Sequence, residues 1–193
     1  MTADPVARTD QELLTATLAG DEGAFLEVYR RYQERVYRFA YRMTGSPEAA
    51  HDVTHSCFVG LLERPSRFDG ERASLGTYLC AAARNLSLRR ASRSWREREL
   101  AFSPDLRPAR GPSPLQVLLE DEKAHLVREA LGALAPLHRE VLILAEYEGL
   151  DLATVAQIVG AEVGAVKVRL HRARKKLRAA LEEHLRSGAL AVE

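Results

Sequence analysis

Seven basic side chains and no acid fall between positions 167 and 178: Lys167, Arg169, Arg172, Arg174, Lys175, Lys176 and Arg178. Arranged along one helix, such arginines can read guanine edges bidentately while the lysines neutralise phosphates. A solvated face on an ordinary bundle helix is the plainer alternative. The run follows closely on a turn, however, and residues 120–148 before it are acidic overall, so docking on a duplex explains more. A second concentration spans residues 84–98, with six arginines against the single Glu97. A third chemistry is suggested by His51-Asp52-Val-Thr-His55, which sets two imidazoles at i and i+4 on one helix face, the spacing of a zinc pair. Asp is shorter than the Glu that polarises water in such sites, and no third ligand follows. An exposed histidine pair is the better reading, and no metal, cofactor or enzymatic activity is expected.

Positioning these groups requires helices. Apolar and charged residues interleave at three- and four-residue steps from Asp10 onward, which predicts an all-α fold. Caps and breakers divide the pattern. Asp10 caps a short helix to Leu18, stopped by Gly20. A long amphipathic helix carries Phe25, Val28, Tyr29, Tyr32, Val36, Phe39, Ala40 and Met43 and ends at Gly45. Ser46-Pro47 restarts a helix with Ala50, Val53, Cys57, Phe58, Leu61 and Leu62 on its inner face, ending before Pro65. Residues 66–74 read as a polar loop. Thr77 begins a fourth helix with Leu79, Ala82, Ala83, Leu86 and Leu88 inward.

Residues 102–114 then hold four prolines and a glycine without periodicity, the composition of a semi-rigid linker. The chain is therefore expected to form two small helical domains, over 8–98 and 115–188, joined by a Pro-rich linker over 99–114. In the second, helices are expected over 115–134 and from Pro136 to Gly149. Residues 151–159, the turn Gly160-Ala161-Glu162 and a long helix from 163 to about 185 then have helix-turn-helix proportions. Leu152, Val155, Ala156, Ile158, Val159, Val163, Val166 and Leu170 face inward, and Ala156 is small where the helices cross.

With a formal net charge of +1, the whole molecule is no nonspecific polycation; local charge decides its partners. Cys57 and Cys80 lack metal-ligand spacing and read as buried reduced thiols, which fits a cytoplasmic protein. No apolar h-region and no membrane-length apolar run is present, so membrane insertion is not expected.

The C-terminal motifs resemble region four of the extracytoplasmic-function sigma factors, a branch of the sigma-70 family. They are Leu134-Ala-Pro136-Leu-His-Arg139-Glu140-Val-Leu, Glu146-Tyr-Glu-Gly149-Leu, Val155-Ala156, and Val163-Gly164-Ala-Val166-Lys167-Val-Arg169-Leu-His-Arg172-Ala-Arg174-Lys-Lys-Leu177. The resemblance implies that Lys167, Val168, Arg169, Arg172, Arg174, Lys175 and Lys176 meet the promoter −35 element, and that the module touches the β flap of RNA polymerase. Ala165 and Val168 depart from a Thr and a polar residue common in the family. Each loses a hydrogen bond, although Val168 could touch a thymine methyl.

The N-terminal half is similar to region two of the same family. Phe25-Leu-Glu-Val-Tyr29-Arg-Arg-Tyr32 and Val36-Tyr37-Arg38-Phe39-Ala-Tyr41-Arg-Met-Thr-Gly45-Ser46 resemble its opening helix. Ala50-His51-Asp52-Val53-Thr-His55-Ser56-Cys57-Phe58 aligns with the stretch that docks on the polymerase β′ clamp helices. This implies core contacts from Asp52, His55, Ser56 and an apolar plug at Phe58. Phe68-Asp69-Gly70 and Leu75-x-Thr77-Tyr78-Leu79-x-x-Ala82-Ala83-Arg84-Asn85 resemble the loop and helix that meet the −10 element. Ser74, Tyr78, Arg84, Asn85, Arg89, Arg90 and Arg93 are the implied contacts. Capturing an unstacked base needs a polar pocket beside a cationic track, which the 66–74 loop and these arginines can supply. His55, Ser56 and Tyr78 replace the family's usual Gln, Glu and Trp, so core binding is expected to be weaker or more pH-sensitive.

The resemblance implies a sigma factor that joins core polymerase, reads the −10 and −35 elements of promoter DNA and helps melt the start site. An anti-sigma factor is a further partner the family often uses. A stand-alone helix-turn-helix regulator would account for the C-terminal module but leaves the first half unexplained.

Overall fold

The computed structural model describes residues 8–100 and 115–189, with side chains described for 8–90, 124–183 and 186. The expected linker core at 101–114 lies outside the described residues. Every regular element among the described residues is helical: α1 (Asp10–Leu18), α2 (Glu22–Thr44), α3 (Pro47–Glu63), α4 (Leu75–Leu100), α5 (Leu115–Ala133), α6 (Pro136–Leu142), α7 (Leu152–Val159) and α8 (Val163–Ala189). A short 3₁₀ turn, Pro65–Arg67, opens the polar loop, and a π turn, Ile143–Tyr147, follows α6.

Local chemistry fixes most boundaries. Gly45 adopts a left-handed φ of 70° and returns its N–H to the Tyr41 carbonyl, closing α2. Ser46 accepts from the Ala49 N–H and Pro47 takes the first turn of α3. Asp151 accepts from Ala153 and Thr154 at the start of α7, and Gly160, at φ 65°, ends it. Two caps differ from expectation. Thr9, not Asp10, caps α1, because Thr9 and Glu12 form a reciprocal capping box. α4 begins at Leu75 rather than Thr77, since the Ser74 hydroxyl reaches the Thr77 N–H at 3.2 Å. The helix from Pro136 is also not uniform. The Glu148 N–H skips to the Ile143 carbonyl and widens the last turn into the π turn before Gly149 reverses the chain at φ 63°.

The N-terminal module packs α1, α3 and α4 around α2, with Val28, Val36, Phe39, Ala40 and Met43 buried along it. In the C-terminal module α5, α6 and α7 pack on α8, whose Val166, Leu170 and Ala173 are buried. Two expected core positions are corrected. Leu62 and Val163 lie 40% and 39% exposed, in the last turn of α3 and the first turn of α8, where a helix has fewer neighbours to bury it. Cys57 and Cys80 are free and buried, and burial pushes both thiols up to about 12, so neither forms a thiolate at neutral pH. No described helix is long and apolar enough to cross a membrane.

The two modules also touch each other directly. Arg84 of α4 grips Glu140 of α6 with two nitrogens, at 2.8 and 3.2 Å. Arg35 of α2 meets Glu148 at 2.7 Å. Arg139 donates to the Met43 carbonyl near the end of α2 at 2.6 Å, and Arg42 lies 4.4 Å over the Tyr147 ring. Beneath these polar ties the buried side chains of both modules form one continuous cluster.

Candidate nucleic-acid and polymerase interfaces

α7 and α8 cross through Val155, Ala156 and Val159 on one side and Val166 and Leu170 on the other, all buried. This packing turns the basic stripe of α8 outward. Lys167, Arg172, Lys175 and Lys176 are exposed, Arg169 is half-buried, and Val168 stands 50% exposed among them. The predicted cations are thus brought together on one helix, but they split between two flanks. Lys167 and Arg174 line a groove with Glu146 and Asp151, where Arg174 Nε donates to Glu146 at 2.9 Å. On the other flank, Arg169, Arg172 and Lys176 crowd His138 of α6. Burial first, then the fields of Lys176, Arg172 and Arg169, press the His138 pKa below its usual 6.5. The exposed apolar Val168 at the centre of this surface can present methyl groups to a base edge.

The N-terminal contacts are arranged differently. Ser74 is committed to capping α4, sharing a 2.9 Å hydrogen bond with the Thr77 hydroxyl. Tyr78 packs edge-on against Phe68, with ring centroids 5.5 Å apart, which holds the 66–74 loop on the start of α4. Asn85, Arg89 and Arg90 are exposed along the next two turns, whereas the side chain of Arg93 lies outside the described residues. Arg84 belongs to the same helix but is half-buried under Glu140, and its remaining nitrogen reaches Asn85 at 2.9 Å. Arg90 turns toward α3 and meets Asp52 at 2.7 Å.

On α3, Asp52, His55 and Ser56 are exposed on one face, as an interaction surface requires. Phe58 is not available as an apolar plug. It is only 2% exposed and sits 4.8 Å, centroid to centroid, from Tyr29 within the module's own core. The i, i+4 stripe that carries Val53, Cys57 and Leu61 turns Phe58 inward with it. His51 packs 4.7 Å from Tyr37 instead of pairing with His55, and no group of three metal-ligating side chains exists among the described residues.

Sequence reasoning missed Arg35, Glu148 and the pairing of Arg84 with Glu140. The partners lie 113 and 56 residues apart, and no local pattern announces them. The one local signal was the polar run His138-Arg139-Glu140 inside α6, between Leu137 and Val141.

The model of sigma-70 region 2 matches residues 28–97, and that of sigma-70 region 4 matches residues 124–177. The ECF RNA polymerase sigma factor SigE of Mycolicibacterium smegmatis is 30% identical over 194 residues, a span covering 94% of this chain and 73% of that protein. SigW of Bacillus subtilis, also an ECF RNA polymerase sigma factor, is 27% identical over 85% of this chain and 92% of its own length. Among solved structures, CnrH in complex with the cytosolic domain of CnrY shares the fold with a TM-score of 0.65 at 23% identity, over 90% of this chain and 97% of that one. RpoE from Bartonella quintana, solved with the anti-sigma factor NepR, does so with a TM-score of 0.61 at 23% identity, over 82% and 96%. Two region models in family order and a relative matched along nearly the whole chain agree with the helix-turn-helix and the bundle described above: the chain belongs to the extracytoplasmic-function RNA polymerase sigma factors.

Proposed function

We propose that this sigma factor divides promoter recognition between its modules: α8 reads the −35 duplex, and the α4 face with the 66–74 loop holds the opened −10 strand. The observation that carries the reading is the exposed cluster on α8, in which Lys167, Arg172, Lys175 and Lys176 surround the exposed Val168 at a helix-turn-helix crossing. Arginine there supplies bidentate base contacts, lysine supplies phosphate contacts, and the valine supplies apolar contact with a thymine methyl. On α4, Asn85, Arg89 and Arg90 form a cationic, hydrogen-bonding track beside the aromatic pair Phe68–Tyr78, the combination that a single strand with an unstacked base requires. Asp52, His55 and Ser56 offer the exposed polar face of α3 to the clamp helices of core polymerase. Neither module carries catalytic chemistry of its own; polymerisation belongs to the core enzyme, and the site of action is the cytoplasm. The B. quintana relative was solved with an anti-sigma factor, which makes such a protein a natural partner here.

Transcript-start mapping with reconstituted holoenzyme tests the proposal. The expected result is a set of start sites sharing two upstream elements, with Lys167→Ala and Arg172→Ala altering dependence on the distal one and Arg89→Ala and Arg90→Ala altering opening at the proximal one. Start sites with no common element, or run-off transcription no different from core polymerase alone, would overturn it.

A further inference from the structure

We infer that the free chain closes on itself through an acidic clasp, in which Glu140 and Glu148 of the C-terminal module occupy arginines of the N-terminal module and withhold Arg84 from nucleic acid. The withheld role of Arg84 rests on the proposed −10 track; the closure itself does not.

The geometry is that of a built contact. The Glu140 side chain is fully buried and both of its oxygens are engaged by Arg84, whose own side chain is 13% exposed. This planar, two-point grip is the way guanidinium holds a phosphate, so Glu140 takes the position a strand phosphate would claim. Glu148, with its side chain 5% exposed, holds Arg35 on the neighbouring helix α2. The π turn is what brings Glu148 there, because the extra residue per turn rotates the end of the segment toward α2. Two further ties cross the same boundary, Arg139 on the Met43 carbonyl and Arg42 over Tyr147. Arg139 also donates to the Gly132 and Leu134 carbonyls of its own module, so of its three bonds the one to Met43 spans the boundary. The ion pairs across the boundary all run one way, and Arg139, the cation on the C-terminal side, meets a backbone carbonyl instead of a carboxylate. Arg35, Arg42 and Arg84 come from the N-terminal side, and Glu140 and Glu148 from the C-terminal side. Two buried carboxylates at the contact could not be left without cations, so separating the modules must rehydrate them or hand the arginines to another polyanion.

Function requires that separation. While Glu140 fills its guanidinium, Arg84 cannot bind a strand, so apparent affinity for single-stranded DNA is reduced by the fraction of molecules that are closed. The clasp thereby favours DNA engagement only after another contact, such as docking on polymerase, has drawn the modules apart.

Small-angle scattering on the full-length free protein, paired with fluorescence anisotropy on labelled oligo(dT), tests this. The wild-type chain should scatter as a compact particle. Glu140→Gln with Glu148→Gln should expand it and tighten oligo(dT) binding about tenfold. Arg35→Met with Arg84→Met, made from the other side of the boundary, should expand it equally with no gain in oligo(dT) binding. An extended wild-type particle, or variants of full helicity whose scattering superimposes on the wild type, would overturn the clasp. If the glutamine pair fails to fold, wild-type compactness together with expansion of the methionine pair still decides the closure. Expansion of the glutamine pair without tighter oligo(dT) binding would overturn the withholding of Arg84. Wild-type promoter opening by Arg84→Met holoenzyme would instead count against the −10 track and leave the closure standing.

Discussion

The two surfaces proposed to meet DNA use the same residue type in opposite ways. On α8, Lys167, Arg172, Lys175 and Lys176 stand exposed with no ion pair to an acid among the described residues, and only Arg174 is tied, to Glu146. On α4, Arg84 is paired with Glu140 and Arg90 with Asp52. On the proposed reading, the duplex-reading surface is preformed, whereas two arginines of the single-strand track must first leave their carboxylates. That difference fits the order of events in promoter opening, where a duplex element exists from the outset and an unstacked strand does not.

The comparison is broken most sharply on α8. Reversing two exposed cations, Lys167→Glu with Arg172→Glu, removes a phosphate contact and a base contact and adds repulsion. At about 1–3 kcal/mol per lost base contact, −35-dependent run-off should fall about a hundredfold or more. The same holoenzyme on a template with a premelted −10 region should lose far less. Equal loss on both templates would show that α8 acts through folding and not through the duplex.

Phe58→Ala probes the N-terminal module from within. Replacing a phenylalanine that is 2% exposed and packed on Tyr29 should cost about 3–5 kcal/mol of stability. Loss of core binding should then follow loss of folded protein in a thermal melt. If the variant melted like the wild type yet failed to bind core polymerase, Phe58 would be a contact after all.

This residue shows what could be read in advance. Its place on the stripe with Val53, Cys57 and Leu61 was visible in the spacing, and that spacing was the better guide than the motif that made it a plug. Boundaries written in short-range chemistry, Gly45-Ser46-Pro47 and Asp151 to Gly160, were equally legible, because a cap needs only its next three or four residues. The exposed cations of α8 followed from the same periodicity. Arg84–Glu140 and Arg35–Glu148 did not. Which surface arginine meets which distant carboxylate depends on how two modules pack, and neither helical period nor composition carries that information. The π turn was hidden for a similar reason, since one skipped hydrogen bond leaves no mark in residue type.

A smaller effect is expected on the exposed face of α3. His55→Gln with Ser56→Glu restores a charge that this chain lacks beside Asp52, on a surface where the described side chains are solvated. Exposed pairs contribute about 0.2–1 kcal/mol, so core affinity should rise a few-fold, most visibly at low salt. Unchanged affinity across a salt series would mean that the clamp helices do not meet this face through charge.

The finest distinction between the two surfaces lies at His138. Burial, followed by the fields of Lys176, Arg172 and Arg169, holds its pKa below 6.5 in the folded chain. The imidazole is thus neutral in the fold where the unfolded chain would already bind a proton. Its contribution to stability is complete above about pH 6.5 and is lost as pH falls toward the lowered folded value. His138→Gln should remove that part of the acid sensitivity, so thermal midpoints of wild type and variant should diverge with pH only below this range. Bound DNA leaves the burial in place but offsets the smaller, Coulombic part of the shift, because phosphates neutralise the three cations beside the ring. Binding of a −35 duplex near pH 6 should therefore take up protons in the wild type and fewer in His138→Gln, measurable as a buffer-dependent heat in calorimetry. Heats that matched in the two proteins would place the duplex away from the Arg169–Arg172–Lys176 flank and leave the Lys167 side of α8 as the reading surface.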